Sequence, residues 1–342
     1  MKRRNALSLL GAAGLGAALP SWANPTPNSK NREGLLLKEG SFSLDGTRLR
    51  FYHPGIKKEF KTIAIADTHL FRDDERGRPY QQYSGRMAKA YNQTRHYLTG
   101  EATDPEKSLI AALNLAADKK AELVSLIGDI VSFPSEAAVD FVMEHMKKSG
   151  LRWVYTAGNH DWHYEGMEGS LADLRATWIQ KRLRPLYQKD DPMMIVRELH
   201  GVRIVVLDNS NYQITEAQLD FFKNQLSYKQ PVLLMVHIPL YAPGRSVGFG
   251  CGHPEWNAAS DRNYELERRE RWPASGHTAA TMEFHRTVFS SPELIGVVAG
   301  HIHRPSLDII NGIPQVVSEA NCVGACLEIE FHPTGTRRAP VG

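Results

Sequence analysis

Three cysteines in 342 residues are too few for a disulfide scaffold, and they lack zinc-finger spacing. Cationic excess is also nearly absent. There are 41 basic against 38 acidic residues, and setting aside Lys2, Arg3 and Arg4 leaves 38 of each sign. Broad phosphate-backbone binding needs a basic face, so no nucleic-acid partner is expected. No internal repeat occurs, nor any linker long enough to separate a pair of domains. The chain has neither a nucleophile-elbow pattern nor a glycine-rich nucleotide loop, which leaves out the serine-hydrolase and nucleoside-triphosphatase designs. With 42% hydrophobic and 23% charged residues, it is not a disordered, collagenous, coiled-coil or polytopic membrane chain.

Lys2-Arg3-Arg4 precedes an uncharged run over residues 6–19, and Ser21-Trp22-Ala23 offers small residues where a signal peptidase reads. The run has 14 residues, short of the roughly 20 that cross a bilayer. Residues 1–23 are therefore expected to be a signal peptide rather than a permanent anchor. Arg3-Arg4 resembles a twin-arginine signal, although Ala6 stands where that pattern usually has phenylalanine. An exported protein, periplasmic or secreted, is expected. Cys322 and Cys326 could then bridge, or be small buried residues at a strand end; Cys251 would be left over.

Residues 24–60 read as a leader followed by a β-hairpin, with Asp45-Gly46 between two alternating runs. Short Val, Ile and Leu-rich runs at 62–66, 123–127, 153–156, 203–207, 232–236 and 295–299 read as buried strands. Between them are helix signals: Asp104 capping Pro105, and Thr215 with Gln218 as a capping box, Ile214 stapling onto Leu219. This alternation predicts a layered α/β fold over 61–342. Two stretches interrupt it, 71–103 and 241–280. Long connections of this kind serve as lids or binding loops in some proteins and are surface excursions in others; the Gly- and Trp-containing stretch around 248–256 suggests contact with a lipid or sugar.

The chemistry lies just past the strand ends, where α/β sheets place ligands. Asp67 and His69 follow the first run, Asp129 the second, Asn159 and His160 the third; His237, then His301 and His303, follow later ones. In extended chain, residues i and i+2 share a side, so Asp67 with His69, and His301 with His303, can face one centre. Gly128, Gly158 and Gly300 directly precede these positions and suit sharp turns and close approach to an anion. Mixed imidazole, carboxylate and carboxamide ligands favour Mn, Fe, Co, Ni or Zn over calcium. Seven ligands oversupply one ion and furnish two if a carboxylate bridges.

These residues resemble the calcineurin-like metallophosphoesterases. The successive motifs of that family are matched in order by Asp67-Thr68-His69, Gly128-Asp129, Gly158-Asn159-His160-Asp161, Val236-His237-Ile238-Pro239 and Gly300-His301-Ile302-His303. The resemblance implies a four-layer α/β sandwich, two mixed β-sheets flanked by helices, with two divalent or mixed-valence metal ions at the strand carboxyl ends. It further implies that Asp67, His69 and His303 hold one ion, Asn159, His237 and His301 the other, and Asp129 both. His160 would be the catalytic acid or donor over the phosphate, with Asp161 orienting it. Physically, two cations roughly 3.5–4 Å apart would acidify a bridging water for in-line attack on phosphorus.

The expected activity is thus hydrolysis of a small-molecule or lipid phosphate ester, either a diester or a monoester. Pyrophosphate cleavage in nucleotide-sugar or lipid diphosphates uses the same machinery. A non-catalytic metal-binding scaffold is a third reading, against which His160 stands. Purple acid phosphatases, a branch of the family, place a tyrosine three residues after the bridging aspartate; here Ser132 stands there, which disfavours that branch. Neither Arg72, Arg78 nor Arg304 is assigned to phosphate, and His163, His253, His277 and His285 are given surface or packing roles.

Overall fold

The computed structural model describes residues 39–87, 94–245 and 277–335. The expected signal peptide, Cys251, His253 and the 248–256 stretch lie outside them. Fourteen strands run in chain order: β1 Ser41–Asp45, β2 Arg48–His53, β3 Phe60–Ile65, β4 Thr94–Arg95, β5 Ala102–Thr103, β6 Leu123–Ile127, β7 Trp153–Thr156, β8 Met194–Leu199, β9 Val202–Leu207, β10 Val232–Met235, β11 Leu294–Ala299, β12 Ser306–Ile310, β13 Ile313–Val317 and β14 Leu327–Pro333. Among the helices are α1 Gln81–Met87, α2 Pro105–Asp118, α3 Glu136–Ser149, α4 Leu171–Trp178, α5 Arg184–Tyr187, α6 Glu216–Ser227 and α7 Ala279–Ser290.

Two six-stranded sheets form, ordered β1-β2-β14-β3-β6-β7 and β12-β13-β11-β10-β9-β8. Both are mixed. β3, β6 and β7 are parallel while β14 is antiparallel to β3; β9, β10, β11 and β13 are parallel while β8 and β12 are antiparallel edges. Alternating side chains such as Leu49, Phe51, Ala64 and Ile329 of the first sheet meet Ile204, Val206, Leu233 and Val298 of the second in one buried layer. The first sheet's outer face packs on α2 and α3 through Ile63, Ile65, Leu109, Leu113 and Val142. Outside the second sheet, Val205 and Leu234 pack on Phe222 of α6 and Phe284 of α7. This is the expected four-layer α/β sandwich.

Local signals explain most of these elements. The hairpin turns at Gly46 (φ 56°), and its second strand joins the first sheet through β14. Asp104 caps α2, with Pro105 in its first turn; both halves of the Thr215/Gln218 capping box are made on α6. The sequence reading passed over α3, whose cap is Ser135 and whose C-terminal stop is Gly150 (φ 65°). The first insertion carries a 3-10 turn, Glu75–Tyr80, α1 and the small β4–β5 pair. Of the second, residues 246–276 lie outside the described ones, and its expected end at 280 gives way to α7, which begins at Ala279.

Candidate functional site

Five of the motif loops leave parallel strands at one edge: β3, β6 and β7 in the first sheet, β10 and β11 in the second. Asp67, His69, Asp129, His301 and His303 all have positive φ, between 51° and 75°, five of the eleven non-glycine residues that do so among those described. This conformation costs roughly 1–2 kcal/mol per residue, so it persists only where surroundings over-determine it. The amides of Asp67 and His69 donate to the carbonyls of Gly128 and Asp129 at 3.0 and 2.9 Å. The first and second motif loops thus brace each other.

The side chains converge. Donor atoms of Asp67, His69 and His303 lie within 4.8 Å of one another, as do those of Asp129, His237 and His301. Nε2 of His69 is 3.0 Å from Nε2 of His303, a spacing that suits a shared proton or a cation. His303 Nε2 is 3.3 Å from Asp67, while Asp129 Oδ2 lies 3.2 Å from His237 Nε2 and 3.8 Å from His69 Nε2. Nδ1 of His237 donates to the Ile127 carbonyl at 2.9 Å, which turns Nε2 toward the carboxylate. Asp129 thus lies within reach of His69 of the first group as well as of His237 and His301 in its own. Asn159 is buried, in the same loop as Gly158 and His160.

The electrostatics favour a cation. Burial, with His303 and His160 nearby, holds His69 well below its usual range and hence neutral. Burial alone would raise Asp129, but His237 and His160 hold it well below the carboxylate range. Burial alone would lower His237, yet the facing Asp129 lifts it to about 10. Among the described residues no lysine or arginine contacts Asp67 or Asp129, so the charge facing these buried carboxylates comes from histidine, His237 foremost, and a buried charge left short of compensation costs several kcal/mol. Oxygen and imidazole donors of this kind fit divalent first-row ions.

His160 is only partly buried. Its amide donates to Asp129 Oδ1 at 2.7 Å, its ring meets His69 edge-on at 4.9 Å, and its donor atom also falls within 4.8 Å of those of His69 and Asp129. Asp161 is placed differently from the expectation that it orients His160. Its carboxylate accepts three backbone amides, from Asp129 (2.8 Å), Gly158 (2.6 Å) and Val131 (2.8 Å). Burial and the Asp129 charge push it up to about 7. Asp161 is thus a clamp on the Asp129 loop.

Other clamps were missed in the sequence. Asn209, just past β9, donates to the Ile238 carbonyl at 2.7 Å and accepts its amide at 3.0 Å; Gln315 of β13 pairs likewise with Leu240. Ser132 Oγ donates to the His69 carbonyl at 2.9 Å. A polar residue just beyond a strand was the available signal for Asn209, and Gln315 within an apolar strand was another. Two of the glycines make room for side chains of the site: at Gly128 (φ 94°) an added Cβ would strike the His237 ring, and at Gly158 the Asp129 carboxylate. Arg72 is spent on Glu106, with both bonds at 2.9 Å, and His285 on the Tyr241 carbonyl. Cys322 and Cys326 are buried and unbridged, with burial pushing both thiols up to about 12.

The model of the family described as calcineurin-like phosphoesterase matches residues 60–305. The chain belongs to the calcineurin-like phosphoesterases. It is a hydrolase acting on phosphoester bonds, and its family implies a dinuclear divalent metal centre. Similar solved structures include a dimetal phosphatase from Danio rerio, 15% identical, covering 77% of this chain and 88% of that one with a TM-score of 0.48. A purple acid phosphatase from yellow lupin is 13% identical, covering 84% and 49%, with a TM-score of 0.46. The phosphopantetheinyl hydrolase of Mycobacterium tuberculosis is 10% identical, covering 83% and 100%, with a TM-score of 0.39. Among curated proteins no match is found. No helix among the described residues of this calcineurin-like phosphoesterase is long and apolar enough to cross a membrane.

Proposed function

We propose that this protein is an exported phosphoesterase that hydrolyses a small-molecule or lipid phosphate ester, with Asp67, His69 and His303 holding one divalent cation, Asn159, His237 and His301 another, and Asp129 both. The observation that carries this reading is the grouping of Asp67, His69 and His303, and of Asp129, His237 and His301, with Asp129 also 3.8 Å from His69 and no lysine or arginine among the described residues in contact with either carboxylate. When bound, two such ions supply Lewis acidity that makes water a nucleophile at neutral pH and offset charge on the phosphoryl oxygens. Neutral His69 is ready to act as a ligand without first losing a proton. His237 donates through Nδ1 to Ile127, which keeps Nε2 for the metal side. His160, the partly buried member of the cluster, protonates the leaving oxygen or donates to it. Asp161 acts on that step only through the amides of Gly158 and Asp129, by keeping the loop that carries His160 in place. The charge and length pattern of residues 1–23 supports export, and N-terminal sequencing of the mature protein checks it.

The test is metal content and hydrolysis of bis-p-nitrophenyl phosphate and p-nitrophenyl phosphate after chelation and reconstitution with Mn, Fe, Co, Ni or Zn. Two ions per chain and restored turnover of either compound are expected; no turnover with any metal overturns the enzymatic reading. In the same assay His160→Ala should lower kcat roughly 10²- to 10⁴-fold with two ions retained, and loss of an ion instead would place His160 among the ligands.

A further inference from the structure

Behind the first ligand loop lies the short turn Asn321–Val323, closed by Gly324 at φ 88°. Asn321 is fully buried. Its backbone amide donates to the Ala66 carbonyl at 2.8 Å, and the next amide, that of Cys322, donates to the Asp67 carbonyl at 2.9 Å. Its side-chain Oδ1 accepts the hydroxyl of Thr68, also fully buried, at 2.9 Å. On the other end of the carboxamide, Nδ2 donates to the Ala325 carbonyl at 2.8 Å and toward the Ser108 carbonyl in α2 at 3.4 Å. Rotating this carboxamide would set its oxygen against the Ala325 and Ser108 carbonyls, which fixes its orientation and leaves Oδ1 to accept from Thr68.

The mechanical consequence falls on Thr68. It stands between Asp67 (φ 57°) and His69 (φ 53°), two strained residues that would relax together if the residue between them were released. The first sheet holds this loop from one side through Gly128 and Asp129; the Asn321 turn holds it from the other. That turn also seats the first insertion. Thr94 Oγ1 donates to the Cys322 carbonyl at 2.6 Å, the Tyr97 amide donates to the Val323 carbonyl at 2.9 Å, and a Cβ at Gly324 would run into the His96 ring.

We propose that Asn321 is a positioning residue that sets Asp67 and His69 for one of the two cations, acting through the Thr68 hydroxyl and the backbone of Ala66 and Asp67. This rests on the metal-dependent reading above. Calorimetric titration of chelator-treated protein with Mn²⁺ tests it on the full chain. Wild type should take up two ions. Thr68→Val, close in shape, removes the hydroxyl bond and leaves the other bonds of Asn321 in place; it should weaken one binding event by roughly 10- to 100-fold and leave the other unchanged. Thr68→Ser should restore the weakened event, which a role in general stability alone would not require. Asn321→Ala should weaken the same event further. Two unchanged events in Thr68→Val, or two weakened equally, overturn the proposal alone. Uptake of fewer than two ions by wild type overturns the metal reading and the proposal with it.

Discussion

On the outer face of the first sheet, Glu328 and Glu330 of β14 lie among Arg48 and Arg50 of β2 and Lys61 of β3, with Lys119 reaching in from the end of α2; at the carboxyl edge of the same sheet, Asp67 and Asp129 lie among histidines. In the first region every carboxylate has a lysine or arginine. Glu330 is 2.9 Å from both Arg50 and Lys61, its directly opposite neighbours in the two flanking strands, and Glu328 is 3.2 Å from both Lys61 and Lys119. In the second, the carboxylates face imidazole nitrogens. The ladder completes itself as a cross-strand ion-pair network. The strand-end cluster relies on imidazoles instead, His237 raised by Asp129 among them, and its left-handed backbone shows how firmly the surrounding loops hold these side chains together.

Changing the open cluster should have the largest effect. Asp129→Asn keeps the side chain's shape and its bond to the His160 amide but removes the anion shared by both donor groups; kcat/KM should fall by roughly 10³-fold or more, with fewer than two ions bound by metal analysis. An unchanged rate would mean that Asp129 is as self-contained as the ladder. Next comes the clamp beneath it. Asp161→Ala strands the amides of Gly158, Asp129 and Val131, and should cost about 3–5 kcal/mol in denaturant unfolding, with Asp161→Asn, which keeps one carbonyl oxygen, costing less.

The ladder should respond to acid rather than to chelation. Burial alone would raise Glu330, but Lys61, His332 and Arg50 bring it to about 2 from an ordinary 4.5. A folded value below the unfolded one means the stabilisation is present above about pH 4.5 and lost as the pH falls through 2, on the order of 1–3 kcal/mol. Unfolding curves across that window check it, and Glu330→Gln should flatten the acid response there. The smallest effect expected is on turnover at neutral pH, where Glu330→Gln should match wild type; a fall in turnover would mean that the ladder and the cluster are energetically joined.

Much of the site was legible because chemistry-bearing residues follow strand ends, and strand ends are marked by short Val, Ile and Leu runs. β6 and β7 match their sequence limits, and β3, β9, β10 and β11 differ by one or two residues. β14 went unread although Leu327, Ile329 and Phe331 alternate with Glu328, Glu330 and His332; alternation identifies a strand without saying that it enters between β2 and β3. Asp161 was legible within a motif and misplaced in role, since its neighbour in sequence is His160 while its bonds go to backbone amides up to 32 positions away.

Residue type and local spacing alone determined the layered α/β class, the helix starts at Asp104 and Thr215, and which donor side chains follow the strand ends, because capping, period-two burial and donor chemistry are short-range or purely chemical properties. Tertiary structure decided how near Asp129 lies to both His69 and His237, that Gly128 and Gly158 make room for side chains of the site, and that Thr68 is held by Asn321. Those last two residues stand 253 positions apart. A hydrogen bond of 2.9 Å between them joins segments that only the tertiary fold brings together, and no pattern confined to either segment encodes that closure.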